Sequence, residues 1–181
     1  MEFSLSDRRW LMPEELDLPG LSRDFALGLH VPRTFDKVLD IEACLLVEEP
    51  ANEILREVKE VTRSSGIPPY GSKTHRGFWR FLTIRHSRAF DQWMVNVITS
   101  EDQPAYLKPL ADRLAARFPA VTSVMNTINT GKAAVATGEA VGVGAASARL
   151  VGALTFIERL PAGLATPLLV GGGGLSTGQK Q

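Results

Sequence analysis

The stretch KTHRGFWRFLTIRHSR, Lys73 to Arg88, holds five basic residues, two histidines and three interleaved aromatics, and no acid. A guanidinium forks onto phosphate oxygens, and a Phe or Trp ring stacks on an unpaired base. That chemistry points to nucleic acid. Lys73, Arg76, Arg80, Arg85 and Arg88 are the candidate phosphate contacts, and Trp79 and Phe81 the candidate stacking platforms. The same pattern also fits a strand whose arginines lie on a solvent face beside an apolar core, and one basic strand does not decide between the two.

Other reactive residues are sparse. Cys44 is the only cysteine, set between an acidic and an apolar run in FDKVLDIEACLLVEE. It reads either as a small core side chain or as a ligand whose partners lie elsewhere. His30, His75 and His86 have no metal-ligand spacing with one another or with Cys44, which argues against a zinc site. There is no nucleophile-elbow pattern, and spacing alone reveals no Cys–His pairing. LLVGGGGLSTGQK, Leu168 to Lys180, imitates a phosphate-binding turn, with Gly173 and Gly178 at the right spacing. Gln179 stands where lysine belongs and no helix pattern follows, so the segment reads as tail.

The elements that must position these residues follow from periodicity. Met1–Leu5, Phe25–His30 and a candidate strand Phe35–Leu39 precede a helix opened by Pro50 and Asn52, with Asn52 as its cap. Gly28, inside a strand, marks a bulge or a close backbone approach. Ile54, Leu55, Val58 and Val61 form the helix's apolar face, and Gly66 and Pro68 end it. Strict alternation along Phe78–His86 puts Phe78, Arg80, Leu82 and Ile84 on one side and Trp79, Phe81, Thr83 and Arg85 on the other. The link SRAFDQ makes a hairpin with Trp93–Thr99. A second helix, Pro104–Phe118, buries Leu107, Leu110, Leu114 and Phe118. Val121–Asn129, the turn NTGK and a short strand within Ala133–Val143 complete the pattern. The order β-β-α-β-β-α-β-β predicts an α+β two-layer sandwich, with a mixed sheet of about five to seven strands and two main helices. Residues 1–143 form the folded domain; residues 144–181 add a partial strand and a flexible Gly/Ala/Pro-rich tail.

Composition sets the broad class. An apolar content of 44% with 22% charged residues is that of a globular chain. One cysteine excludes an internal disulfide framework. The first residues carry no apolar signal-peptide core, and Leu160–Leu175 is short and proline-broken for a membrane span, so a cytoplasmic location without membrane is expected. Zero net charge hides a polarity. Residues 1–60 carry 14 acids and 7 bases, whereas residues 61–100 carry 1 acid and 6 bases, a local basic region in a neutral chain.

The sequence resembles the RNA (uracil-5-)methyltransferase family, in particular its ribosomal-RNA members. The resemblance is carried by MEFSLSDRRW, DFALGLHVPRTFDKVLDIEACLL, ANEI, KTHRGFWRFLTIRHS, WMVNVIT and FPAVTSVMNTINTGKA, in family order over roughly residues 1–139. It implies an enzyme that methylates carbon 5 of a uracil in RNA such as 23S ribosomal RNA. S-adenosylmethionine is the donor, and a cysteine adds to carbon 6 of the base. Such proteins join an N-terminal β-barrel, a central α/β domain and a C-terminal Rossmann-like catalytic domain, and this chain looks like the central domain alone. Cys44 aligns with the fourth ligand of a 4Fe–4S cluster held by some members, whose other three cysteines would precede Met1. The family's Asn-x-Phe-x-Gln, Asp-Pro-Pro and Ser-Cys-Asn segments have no counterpart after Phe156. The resemblance therefore assigns no catalytic or cofactor-binding residue and leads to the expectation of a truncated, inactive chain. Its partner is ribosomal RNA, with no DNA target. A non-catalytic RNA-binding module and a purely structural fragment are the alternatives.

Overall fold

Stretches rich in Val, Ile, Phe and Trp alternate with two segments of helical period, and they fold into one sheet covered by two helices. The computed structural model describes residues 1–138 and 140–143. The strands are β1 (Glu2–Ser6), β2 (Arg9–Trp10), β3 (Ala26–His30), β4 (Val38–Asp40), β5 (Trp79–Ser87), β6 (Gln92–Thr99), β7 (Val121–Ile128) and β8 (Ala140–Val143). The helices are α1 (Glu49–Ser64) and α2 (Pro104–Arg117). The sheet order is β2-β4-β3-β1-β5-β6-β7-β8. Most neighbours are antiparallel, but β6–β7 and β2–β4 are parallel. The parallel β6–β7 step needs a crossover, and α2 is that crossover. This is the α+β sandwich with a mixed sheet that periodicity predicts; the two-residue β2, too short to leave a pattern, brings the strand number to eight. The glycine-rich tail lies outside the described residues.

The core lies between sheet and helices. Ile54, Leu55 and Val58 of α1 and Leu110 and Leu114 of α2 pack on Phe3, Leu27, Trp79, Leu82, Val95 and Val97. Glu57, also on α1, is buried with its carboxylate held by Arg113 and, at 2.6 Å, by Arg117 of α2. Gly28 sits where the Leu39 backbone carbonyl leaves no room for a Cβ, which is the close approach expected there.

Two local expectations are corrected. Helix α1 begins at Glu49 with Glu48 as its cap, and Asn52 lies inside the first turn. Its amide instead brackets Cys44: Oδ1 accepts from the Cys44 N–H at 2.8 Å and Nδ2 donates to the Cys44 carbonyl at 3.3 Å. Strand β5 does not alternate strictly. Trp79 pairs with Thr99 and Phe81 with Ile98, so Arg80 is an extra residue in a bulge. A bulge re-aims the side chains around it. Trp79 therefore joins Leu82 and Ile84 in the helix-facing core, and Arg80 is turned away from it.

Candidate nucleic-acid interface

Loop 66–77 leads from α1 into β5, and its geometry is closely held. Tyr70 N–H donates to the Trp79 carbonyl and Phe78 N–H to the Pro68 carbonyl, both at 2.8 Å. Within the loop, Gly71 N–H donates to the Arg76 carbonyl and His75 N–H to the Gly71 carbonyl, again at 2.8 Å. His75 has φ +55° and Gly77 φ +112°. At Gly77 a Cβ would run into the Pro69 carbonyl, so only glycine lets the loop fold back on itself. The result presents His75 and Arg76 outward and lays the Tyr70 ring inward, 4.1 Å from the Arg80 guanidinium carbon.

Arg80 is the joint of the region. It is 2% exposed. Its Nη1 donates to the carbonyls of Asn129 and Gly131, each at 2.5 Å, and Nη2 donates to the Ala133 carbonyl at 2.8 Å. Asn129 adds its own fastening, Nδ2 donating to the Val135 carbonyl at 2.9 Å. Burial pulls the Arg80 pKa down, and nearby Tyr70 opposes that shift. A guanidinium tolerates such a site because its planar fork of donors meets several carbonyls at once. One side chain from the β5 bulge thus ties loop 129–135 down beside loop 66–77.

Between these loops and the start of α2 lies a groove of about 710 Å³, lined among others by Tyr70, His75, Arg76, Tyr106, Thr130 and Lys132, with Glu101 as its acid. Among the described residues, the side chains of Arg76 and Lys132 have no ion-pair or hydrogen-bond partner. Eight other basic residues, Arg9, Arg56, Lys59, Lys73, Arg88, Lys108, Arg113 and Arg117, each face a carboxylate.

The structure scatters the seven residues singled out in the basic stretch. Arg76 lines this groove. Arg85 and Arg88 line a different one with Trp93 and His86, and Arg88 pairs with Glu48 at 3.1 Å. Lys73 is exposed and pairs with Asp36 at 2.6 Å. Trp79, Arg80 and Phe81 are buried, so they offer no face to a base or a phosphate, and their expected role as direct contacts is corrected to a structural one. Tyr70, Tyr106, Thr130 and Lys132 were not legible as site residues. The available signals were weak: a lysine at the end of NTGK, and a tyrosine one turn ahead of Leu110 in α2.

Cys44 is buried in the core cluster beneath Asn52. Among the described residues no group of three or more His, Cys, Asp or Glu could hold a metal ion. With a single cysteine in the sequence, the residues present do not fit a four-thiolate cluster. No described helix is long and apolar enough to cross a membrane.

No protein-family model matches the chain. Among curated proteins it is similar to an RNA methyltransferase of Chlorobaculum tepidum, described as uncharacterized, at 39% identity over 142 residues, which is 77% of this chain and 29% of that protein. A similarly described RNA methyltransferase of Porphyromonas gingivalis is 35% identical over 138 residues, covering 72% of this chain and 29% of its own length. The chain thus spans under a third of the curated relatives it matches. Among solved structures, the Pyrococcus abyssi tRNA (uracil-54, C5)-methyltransferase in complex with S-adenosyl-L-homocysteine shares the fold over 79% of this chain and 30% of that one, with a TM-score of 0.54 and 19% identity.

Proposed function

Because this chain belongs, over the residues its relatives match, to a family of RNA methyltransferases, we propose that it supplies the RNA-gripping section of an enzyme that methylates carbon 5 of a uracil in ribosomal RNA. The gripping role is carried by one observation, the convergence of Arg76 and Lys132, neither of them ion-paired among the described residues, on a groove walled by aromatic rings, with Glu101 as its single acid. Unpaired cations beside aromatics are what a phosphate and a base require. Residues 1–143 act as one unit in this reading, in the cytoplasm, with RNA rather than DNA as the polymer bound.

S-adenosylmethionine supplies the methyl group in such a reaction. The groove offers its sulfonium little, with two cations against the single carboxylate of Glu101. Attack on a uracil ring also needs an accessible thiolate, and Cys44 is 5% exposed in the core. The 181-residue chain by itself is therefore expected to bind RNA without methylating it. Incubation with ribosomal RNA transcripts and radiolabelled S-adenosylmethionine, read beside filter binding at several salt concentrations, tests both halves. The expected result is salt-sensitive binding with no label transferred; label above background, or no binding at low salt, overturns the reading.

A second reading has its own observation. Leu45 and Leu46 are 98% and 83% exposed, and Phe90 is 76% exposed. Such apolar surface suits a section that packs on another protein surface. Sedimentation as a clean monomer at high concentration counts against it.

A further inference from the structure

We propose that the groove between Tyr70, Arg76, Tyr106 and Lys132 seats one unpaired nucleotide of single-stranded RNA, its base on Tyr106 and its phosphate between Arg76 and Lys132. This rests on the RNA-contact reading above and narrows it to a kind of RNA.

Tyr106 is the first ground. It lies in the first turn of α2, one turn ahead of Leu110 at the open end of the stripe that buries Leu110 and Leu114, and it is 42% exposed. Its ring stands edge-to-face on Phe78, 5.3 Å between centroids at 87°. Phe78 is buried, so the Tyr106 ring is held in place from below while part of it stays open to the groove. A fixed, half-open aromatic face loses little entropy when a base stacks on it.

The second ground is the pattern of charge. Two cations without an ion pair among the described residues suffice for one phosphate, and Glu101 at the same groove disfavours a continuous rail of them. The same carboxylate accepts a hydrogen bond from the exocyclic amine of a base. Third, the walls are fixed before any ligand arrives: the His75–Gly77 backbone shapes one side, and Arg80 fastens the loop that carries Thr130 and Lys132 on the other. A paired base has both faces covered by its neighbours, so an isolated aromatic platform serves only a base outside a helix.

Fluorescence anisotropy of the full chain tests this with two labelled probes, a single-stranded hexaribonucleotide and the same sequence closed into a hairpin duplex. The single strand is expected to bind at least ~10-fold more tightly, and Tyr106→Ala to remove about 10-fold of that while leaving the salt slope unchanged. Tyr106→Phe keeps the affinity. Arg76→Ala with Lys132→Ala lowers the slope of log affinity against log salt by about 0.7, the loss of one single-strand phosphate contact. Thermal melting establishes that each variant is folded. Equal binding of both probes, or an unaffected Tyr106→Ala beside weakened cation variants, overturns the nucleotide seat while leaving the RNA-contact reading standing. Failure to bind either probe removes both.

Discussion

A guanidinium drawn out of water must find acceptors or it destabilises the fold. Arg80 finds three backbone carbonyls and the face of Tyr70. Arg80→Met keeps the stem and removes the donors. It should cost about 2–4 kcal/mol, since hydrogen bonds to charged groups contribute about 1.5–3 kcal/mol each and the orphaned carbonyls recover part of that from water. The checks are a urea titration and amide exchange, which should quicken first in loop 129–135. Lys73 and Asp36 give a pH-dependent counterpart. The hydrogen bond from Lys73 holds the Asp36 carboxyl below its ordinary pKa, with burial opposing. A lowered folded-state pKa stabilises above the unfolded value and loses that contribution as pH falls through the folded one. The melting temperature of Asp36→Asn should therefore lie below wild type at neutral pH, and the gap should close in acid. At this scale the sequence was least informative. Composition and spacing showed that Arg80 sits among aromatics, but not that a bulge turns it inward, because a bulge depends on how β5 registers with β6, where Trp79 meets Thr99 and Phe81 meets Ile98.

Between α1 and α2 the contact is ionic at its edge and apolar at its centre. Glu57 is buried, while Arg113 and Arg117 stay 44% and 59% exposed. The pair is therefore asymmetric. Removing both arginines leaves a buried carboxylate without partners, and Arg113→Ala with Arg117→Ala should clearly lower stability. Glu57→Leu leaves only two solvated cations and should change stability by less than about 1 kcal/mol, since replacing a buried charge by an apolar side chain is often neutral. Chemical denaturation of the two variants gives the comparison, and the reverse ranking would contradict the asymmetry. Elements of this size were legible. The 3.6-residue stripe of α1 and the apolar runs flanking SRAFDQ state their own geometry, because helix faces and hairpins depend on near neighbours. The start of α1 was misplaced because Asn52 looks like a cap, while its amide is used instead by the backbone of Cys44.

For the molecule as a whole, the mixed sheet was foreseeable from element order, but the groove was not. It is made by loops 66–77 and 129–135 and the first turn of α2, which only the tertiary fold brings together. The strand arrangement also governs how the sheet is made. The strand synthesised before its sheet neighbours occupies an interior lane: Ser4 meets Gly28 on one flank and Phe81 on the other. The Met1 nitrogen donates to the Ile84 carbonyl at 2.7 Å, across 83 positions of sequence. On a ribosome adding about 5–20 residues each second, that ribbon waits roughly 4–16 s for its second neighbour to be polymerised. Throughout that interval Phe3 and Leu5, destined for the interior, stand beside an unfilled lane. The nascent polypeptide is then open to capture by a chaperone or by the strand of another copy.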